Sequence, residues 1–197
     1  MDEKILNKSI KIAKDFLLLS DDPAHGMIHT KSVVNTASKI CDEIKYKDKK
    51  LIETACWWHD VGRLFSPIHE DLSGQIARAN LLGLGVAPDK ADIAYQAIRF
   101  HKWKMIPKTL EGDILRDADK LDFISIERWK ECFKEKRLEH IIPIVGLLPK
   151  LREILKLETS KEIYDGKILN FLKELKKIKT NDKKIKKIIQ DVLDYFN

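Results

Sequence analysis

Apolar side chains recur along this chain every three or four residues, the spacing of one helical face. Nowhere do they alternate with period two for long enough to make a strand. Over residues 3–19 the stripe runs through Ile5, Leu6, Ile12, Ala13, Phe16 and Leu17, with Ser9 on the same face. Asp21-Asp22-Pro23 then reads as a cap followed by proline at the first helical position. It opens a second helix striped by Met27, Val33, Val34, Ala37, Ile40, Cys41 and Ile44. Asp48 caps a third helix through Leu51, Ile52, Ala55 and Trp58, which delivers His59 and Asp60 at its end before Gly62 turns the chain.

Residues 70–82 predict a fourth helix with Leu72, Ile76, Ala79 and Leu82 on one face, ended by Gly83 or Gly85. Pro88-Asp89 opens a fifth, striped by Ile93, Ala94, Ala97 and Ile98 and finishing at His101. A short helix from Thr109 carries Asp119 and Asp122, and residues 123–135 continue helically through Phe123, Ile126, Trp129 and Phe133. Two prolines and a glycine between Leu138 and Pro149 predict a linker or mobile cover. Ser160 is expected to cap one further helix and Asn181 another, so the whole is an all-α bundle.

Composition narrows the class. With 197 residues, 44% apolar and 35% charged, the chain has enough core for one domain spanning residues 1–197. Its apolar runs are too short to cross a bilayer, which predicts a cytoplasmic protein with no membrane partner. Cys41, Cys56 and Cys132 are isolated in helical stripes and read as reduced core thiols. The net charge of +6 is concentrated from residue 148 onward, where thirteen Lys/Arg face eight Asp/Glu. Those lysines alternate with Ile and Leu on helical repeats and lack interleaved aromatics, so they read as solvated faces and nucleic acid is not expected as a partner. Apolar positions left over on the last two helices suit a homodimer contact.

The chemistry gathers around Cys56-Trp57-Trp58-His59-Asp60-Val61-Gly62-Arg63. Imidazole nitrogen with carboxylate oxygen, and no thiolate, suits divalent Mn, Fe, Co, Ni, Zn or Mg. Consecutive helical residues diverge by about 100°, so His59 and Asp60 reach one ion only from opposite flanks and other helices must fill the remaining faces. His29, His69, His101 and Asp119 are available, and His29 and Asp119 can complete the set. Four protein ligands on an octahedral ion leave positions for water and substrate oxygens, as a hydrolytic centre requires.

A lone His, then His-Asp, then a later Asp is the order found here as His29, His59-Asp60 and Asp119 of Asp117-Ala118-Asp119-Lys120-Leu121-Asp122. With His25 and His29 in Ala-His-Gly-Met-Ile-His, His69-Glu70, His101 and Pro107-Lys108-Thr109-Leu110-Glu111-Gly112, the chain resembles the HD-domain superfamily of metal-dependent phosphohydrolases. The resemblance is to a branch of small stand-alone bacterial and archaeal members, over about residues 20–130, with residues from about 148 to 197 a C-terminal helical extension. It implies His29, His59, Asp60 and Asp119 as ligands of one metal. His69 and His101 are implied at a second metal or at substrate phosphate, so one or two ions per chain.

Lys120 and Arg63 are placed to meet a phosphate, and each has a neighbouring carboxylate as the alternative partner. Asp122 would orient Lys120 or a water, Trp103 would cover a base or sugar, and Glu70 would act at the substrate or only as a charge on a helix N-terminus. The implied partner is a small phosphorylated substrate, a nucleotide first of all. The same six donors would also suit a di-iron oxygenase, and a third reading is a regulatory module merely braced by metal. The Gly-Tyr-Pro signature of cyclic-di-GMP phosphodiesterases is replaced after His101 by Lys102-Trp103-Lys104. The Glu-Asp of alarmone hydrolases is replaced by Val61-Gly62, and the spacing after Asp60 is short for the large triphosphohydrolases. Among the remaining residues, His25 reads as a capping residue or a support behind the ligands. Asp117 reads as a surface acid or one behind the ligands, Trp57 and Trp58 as core and rim, and His140 has no place in the pattern.

Overall fold

In the computed structural model, which describes residues 3–196, the stripes become eleven α-helices joined by short turns, with no strand among the described residues. The helices are α1 (Glu3–Leu17), α2 (Met27–Glu43), α3 (Lys49–Trp58), α4 (Glu70–Gly83), α5 (Pro88–Arg99) and α6 (Leu110–Leu121). They are followed by α7 (Ile126–Lys134), the short α8 (Ile142–Val145) and α9 (Leu151–Ile154), then α10 (Glu158–Lys176) and α11 (Lys183–Tyr195). None is long and apolar enough to cross a membrane.

The position of α3 explains the placement of the site. Leu51, Ile52, Thr54, Ala55, Cys56, Trp57 and Trp58 are all buried. A helix apolar on nearly every side must be surrounded, and α3 packs against α1, α2, α5 and α6. Whatever follows it therefore emerges in the interior. Ser9, the polar member of the α1 stripe, is fully buried and links the layers: its hydroxyl accepts from Trp58 Nε1 at 2.9 Å and donates to Asn80 Oδ1 at 2.7 Å. Trp58 is thus pinned one residue before His59, and Trp57 is buried as well. The three thiols are free and buried, and burial pushes those of Cys41 and Cys132 up to about 11.

Several helix ends differ from expectation. The second helix starts at Met27, with Gly26 as its cap, four residues beyond Pro23. Asp22 instead accepts the Ala24 N–H at 2.8 Å, making a local turn that competes with the helix. The fourth helix is released at Gly85, whose φ of +87° is costly for a residue with a side chain. Ser160 lies buried inside α10 and caps nothing, while Asp182, one residue after Asn181, accepts the N–H groups of Lys184 and Ile185 to cap α11. Thr109 does cap α6, accepting from Gly112 N at 3.1 Å. Residues 138–150 form short helical turns anchored by buried Ile141, Ile144 and Leu148.

Asp117 is neither a surface acid nor a support for the ligands. It is fully buried, and its carboxylate accepts the N–H groups of Lys156 at 2.9 Å and Leu157 at 2.8 Å, fixing the entry to α10 against α6. Neighbouring Arg116 donates to the carbonyls of Ile154 at 3.1 Å and Trp103 at 3.2 Å. One turn of α6 thus holds both the C-terminal helices and the loop after His101. Replacing Asp117 with Ala leaves two part-buried N–H donors without their buried acceptor and is expected to cost about 2 kcal/mol of unfolding free energy in urea denaturation. A loss below about 0.5 kcal/mol would show that the anchor is dispensable.

Candidate metal centre

Every candidate ligand sits at a helix end. His29 is in the first turn of α2, His59 ends α3, Asp60 follows it, His69 precedes α4, His101 follows α5, and Asp119 lies in the last turn of α6. All six are at least nine-tenths buried. The ends meet because Gly62 lets α4 approach. A Cβ at that position would lie 2.7 Å from Ser73 Oγ and 2.8 Å from the His69 carbonyl oxygen. Gly62 serves for this close packing within the short 3-10 turn Val61–Leu64, and its N–H donates to Ser73 Oγ at 2.9 Å.

The imidazoles are oriented from behind. His59 Nδ1 lies 2.6 Å from the Cys56 carbonyl oxygen and His101 Nδ1 lies 2.5 Å from that of Ile98. A carbonyl only accepts, so each Nδ1 carries the proton and each Nε2 presents a lone pair. His29 Nδ1 lies 2.7 Å from Asp122 Oδ2, which fixes the same tautomer. Asp122 therefore orients His29, and Lys120, which the sequence had suggested for it, pairs with Asp119 instead. Burial works to raise the Asp122 carboxyl, but the adjoining His29 and Arg128 hold it below the usual range.

The consequence is a crowd of lone pairs. His29 Nε2 and His59 Nε2 face each other at 3.1 Å with no proton to share. Asp119 Oδ1 is 3.4 Å from His29 Nε2, and Asp60 Oδ2 is 3.5 Å from both nitrogens. The other carboxylate oxygen, Asp60 Oδ1, faces His69 Nε2 at 2.8 Å, Arg63 Nε at 3.1 Å and His101 Nε2 at 3.8 Å. His69 Nε2 is buried and makes no well-formed hydrogen bond despite that distance. Acceptors turned toward one another in a dry interior repel unless a cation joins them. The His29, His59 and Asp119 group, and the His59, Asp60 and His101 group, each bring ligand atoms within 4.8 Å of one another and could hold a metal ion.

Burial would raise the Asp119 and Asp60 carboxyls. Lys120 and the imidazoles around Asp119, and His59 and Arg63 around Asp60, hold both well below the ordinary carboxylate value. Burial and the nearby His59 push His101 down to about 3, and burial likewise lowers His59. Asp60, Asp119, His59 and His101 are thus held unprotonated at neutral pH, two carboxylates and two imidazoles ready to donate.

Above them lies a cavity of about 260 Å³, lined by Asp60, Asp119, His69, His101, Arg63 and Lys120 among others. Lys120 pairs with Asp119 and Arg63 with Asp60, so both cations take the neighbouring-carboxylate partners that the sequence left open. Glu70 is buried and pairs with Lys102 at 2.8 Å; burial works to raise its carboxyl, but Lys102 holds it down at about 2. Half-buried Trp103 lines the cavity on the loop gripped by Arg116. Two further residues in the wall had no place in the sequence pattern. His140 lies 3.5 Å from Asp22 and packs edge-on against His25 at 5.2 Å. Arg128 is buried on α7 beside Asp122. The signal for Arg128 was legible as a charge on an apolar stripe, next to Trp129 and four residues before Cys132.

The HD domain family profile matches residues 26–124, half of the chain, and the chain belongs to that family. Among solved structures it is similar to a protein from an uncultured Thermotogales bacterium, described as a predicted HD superfamily hydrolase. That match has 24% identity and a TM-score of 0.66, covering 86% of this chain and 88% of the other. It is also similar to Bacillus subtilis YpgQ in complex with ADP, at 21% identity and a TM-score of 0.68 over 90% of this chain and 96% of the other. A Lactobacillus plantarum protein matches at 19% identity with a TM-score of 0.67, covering 88% and 94%. These likenesses show a common fold. No curated protein matches the chain.

The imidazole shifts set a pH dependence. A histidine whose folded pKa is depressed below 6.5 contributes stability above that value and loses it as pH falls toward the folded pKa, because only the unfolded chain takes up the proton. In chelator, unfolding free energy is expected to fall between pH 7 and pH 5 by about 2 kcal/mol from His101 alone. Urea midpoints measured at both pH values check this, and equal midpoints would contradict it.

Proposed function

We propose that the chain is a metal-dependent phosphohydrolase that cleaves a phosphate ester or anhydride, and that residues 1–197 act as one domain. The observation that carries this reading is the convergence of His29, His59, Asp60 and Asp119 beside a cavity that Asp60 and Asp119 line together with Lys120 and Arg63. Those four residues would hold one divalent ion. His69 and His101, gathered on the far oxygen of Asp60, would hold a second ion or meet a substrate phosphate. The ion supplies Lewis acidity, lowering the pKa of a water and drawing charge from a phosphoryl oxygen.

The chain's own residues do the rest. Asp60 faces both imidazole pairs with different oxygens, so it keeps the donors in register. Lys120 and Arg63 are each one salt bridge from the cavity and can turn a donor to the phosphoryl oxygens as charge develops there. Lys102, held by Glu70, adds charge at the entrance, and Trp103 offers a ring face to a base or sugar. Pro143, Ile144 and Leu147 form an apolar wall that excludes water from this side. A nucleotide substrate is supported by that combination of cations and ring, and is in keeping with the ADP found in the YpgQ structure of like fold.

A second reading, a di-iron oxygenase, draws on the placement of His69 and His101 around Asp60, because six donors then suit two irons. The two readings separate in one experiment. Nucleoside mono-, di- and triphosphates are incubated with manganese, and orthophosphate and pyrophosphate release is followed for the wild type and Asp60→Asn. The expected result is phosphate release by the wild type and at least about a hundredfold loss in the variant. No release from any phosphate, with two irons per chain and oxygen-dependent turnover, would favour the oxygenase.

A further inference from the structure

The cations around the cavity are not equivalent. Arg63, Lys102 and Lys120 each hold a carboxylate: Asp60, Glu70 and Asp119. Arg128 has only a share of one. Its Nη1 donates to Asp122 Oδ2 at 3.1 Å, the same oxygen that His29 Nδ1 approaches at 2.7 Å. Its Nη2 lies 3.4 Å from His25 Nε2, at the outer limit of a hydrogen bond. Its Nε is buried with no partner. The residue is 2% exposed, yet it lines the cavity. Arg116 also has an unpartnered Nε, but Arg116 is not in the cavity wall.

Leaving a guanidinium N–H unsatisfied in a dry wall is costly, and guanidinium is the group best shaped for two oxygens of a tetrahedral anion. The surroundings hold it in place for that purpose. Asp22 is fixed by the Ala24 N–H, accepts from His25 Nδ1 at 2.8 Å, and so leaves His25 Nε2 to brace the far side of Arg128. Ser125 caps α7, the helix that carries Arg128. His140, Pro143, Ile144 and Leu147 close the same wall, so an anion there is shielded from water and its attraction to the guanidinium is strengthened.

We propose that Arg128, braced by His25 and Asp122, is a substrate-binding residue that seats a tetrahedral oxyanion, a phosphoryl group of the substrate, beneath the cover formed by residues 138–147. The proposal rests on the phosphohydrolase reading for its ligand. It also makes Arg128 a positioning residue for His29, because both use Asp122 Oδ2. The alternative is that Arg128 is only a strut, its Nε turning to Asp122 Oδ1, which likewise lacks a partner.

The probe is inorganic orthophosphate, added to the full chain with magnesium present. Binding is measured by calorimetry for the wild type, Arg128→Gln and Arg128→Lys, with metal content in parallel. The Arg128 Nε–H signal of wild-type protein labelled with ¹⁵N-arginine is followed by NMR, assigned through Arg128→Lys. The expected result is a shift of that signal on phosphate addition and at least about tenfold weaker phosphate binding by Arg128→Gln. Arg128→Lys keeps the contact with Asp122, so it should retain wild-type metal content while failing to restore phosphate affinity. A signal unmoved by saturating phosphate, or phosphate affinity in Arg128→Gln within twofold of wild type, would overturn the seat. If Arg128→Gln does not fold, the wild-type signal decides. A shifted signal in a protein that hydrolyses no phosphate would retire the phosphohydrolase reading and leave the seat standing.

Discussion

Imidazole lone pairs held face to face among two buried carboxylates, Asp60 and Asp119, are the constraint on which this structure depends. Each of His29, His59 and His101 has its proton committed backward, to Asp122, to the Cys56 carbonyl and to the Ile98 carbonyl. That commitment leaves every Nε2 turned inward, where neighbouring acceptors repel in the absence of a cation. Stability elsewhere in the bundle offsets this local cost, and the offset is visible in the packing. His59 and Asp60 follow the end of α3, a helix buried on nearly every side, with Trp58 pinned by Ser9 immediately before them.

The rest of the chain reads as support for that arrangement. Gly62 admits α4 so that His69 can reach Asp60. The Arg116-Asp117 pair carries the core outward, fixing the Trp103 loop with one residue and the start of α10 with the other. Residues 138–150 lie between these parts, with Ile141, Ile144 and Leu148 buried and His140 turned to the cavity. A substitution in α11 that disturbs its packing on α8 can therefore change the shape of the cavity without touching a ligand. Specificity in such an arrangement belongs to the loops and the cover, while the ligands set the chemistry.

Much of this was legible in the sequence, for a physical reason. Helix identity depends on periodicity, which is local, so the helices and the starts of α3, α5 and α6 near Asp48, Pro88 and Thr109 could be read directly, although the Asp48 side chain caps no N–H of α3 and pairs with Lys90. The face of α4 was misread, because its buried side is Ser73, Gly74, Ala77 and Leu81 while Ala79 is exposed. The positions of His29, His59, Asp60, His69, His101 and Asp119 at helix ends followed from the same reading, and the structure brings all six together. Helix starts at Pro23 and Ser160 were misread because side chains there satisfy turns or sit in the core. The partner of Asp122 was misassigned, and the role of Asp117 was missed, because each acts on a residue some forty or ninety positions away. His140 needed the tertiary structure for a similar reason, since a cavity wall has no periodicity, and Arg128, though legible as a charge on the apolar stripe of α7, could not be assigned a place in that wall from the stripe alone.

The most direct test of the account is the location of a bound ion. Crystals of the full chain grown with manganese and measured near its absorption edge would give anomalous peaks independent of any assumed ligand. A peak enclosed by His29, His59, Asp60 and Asp119, with or without a second beside His69 and His101, is the predicted result. Absence of a peak there, or manganese only at the Asp22, His25 and His140 group on the rim, would contradict the claim that the buried lone pairs exist to hold a metal.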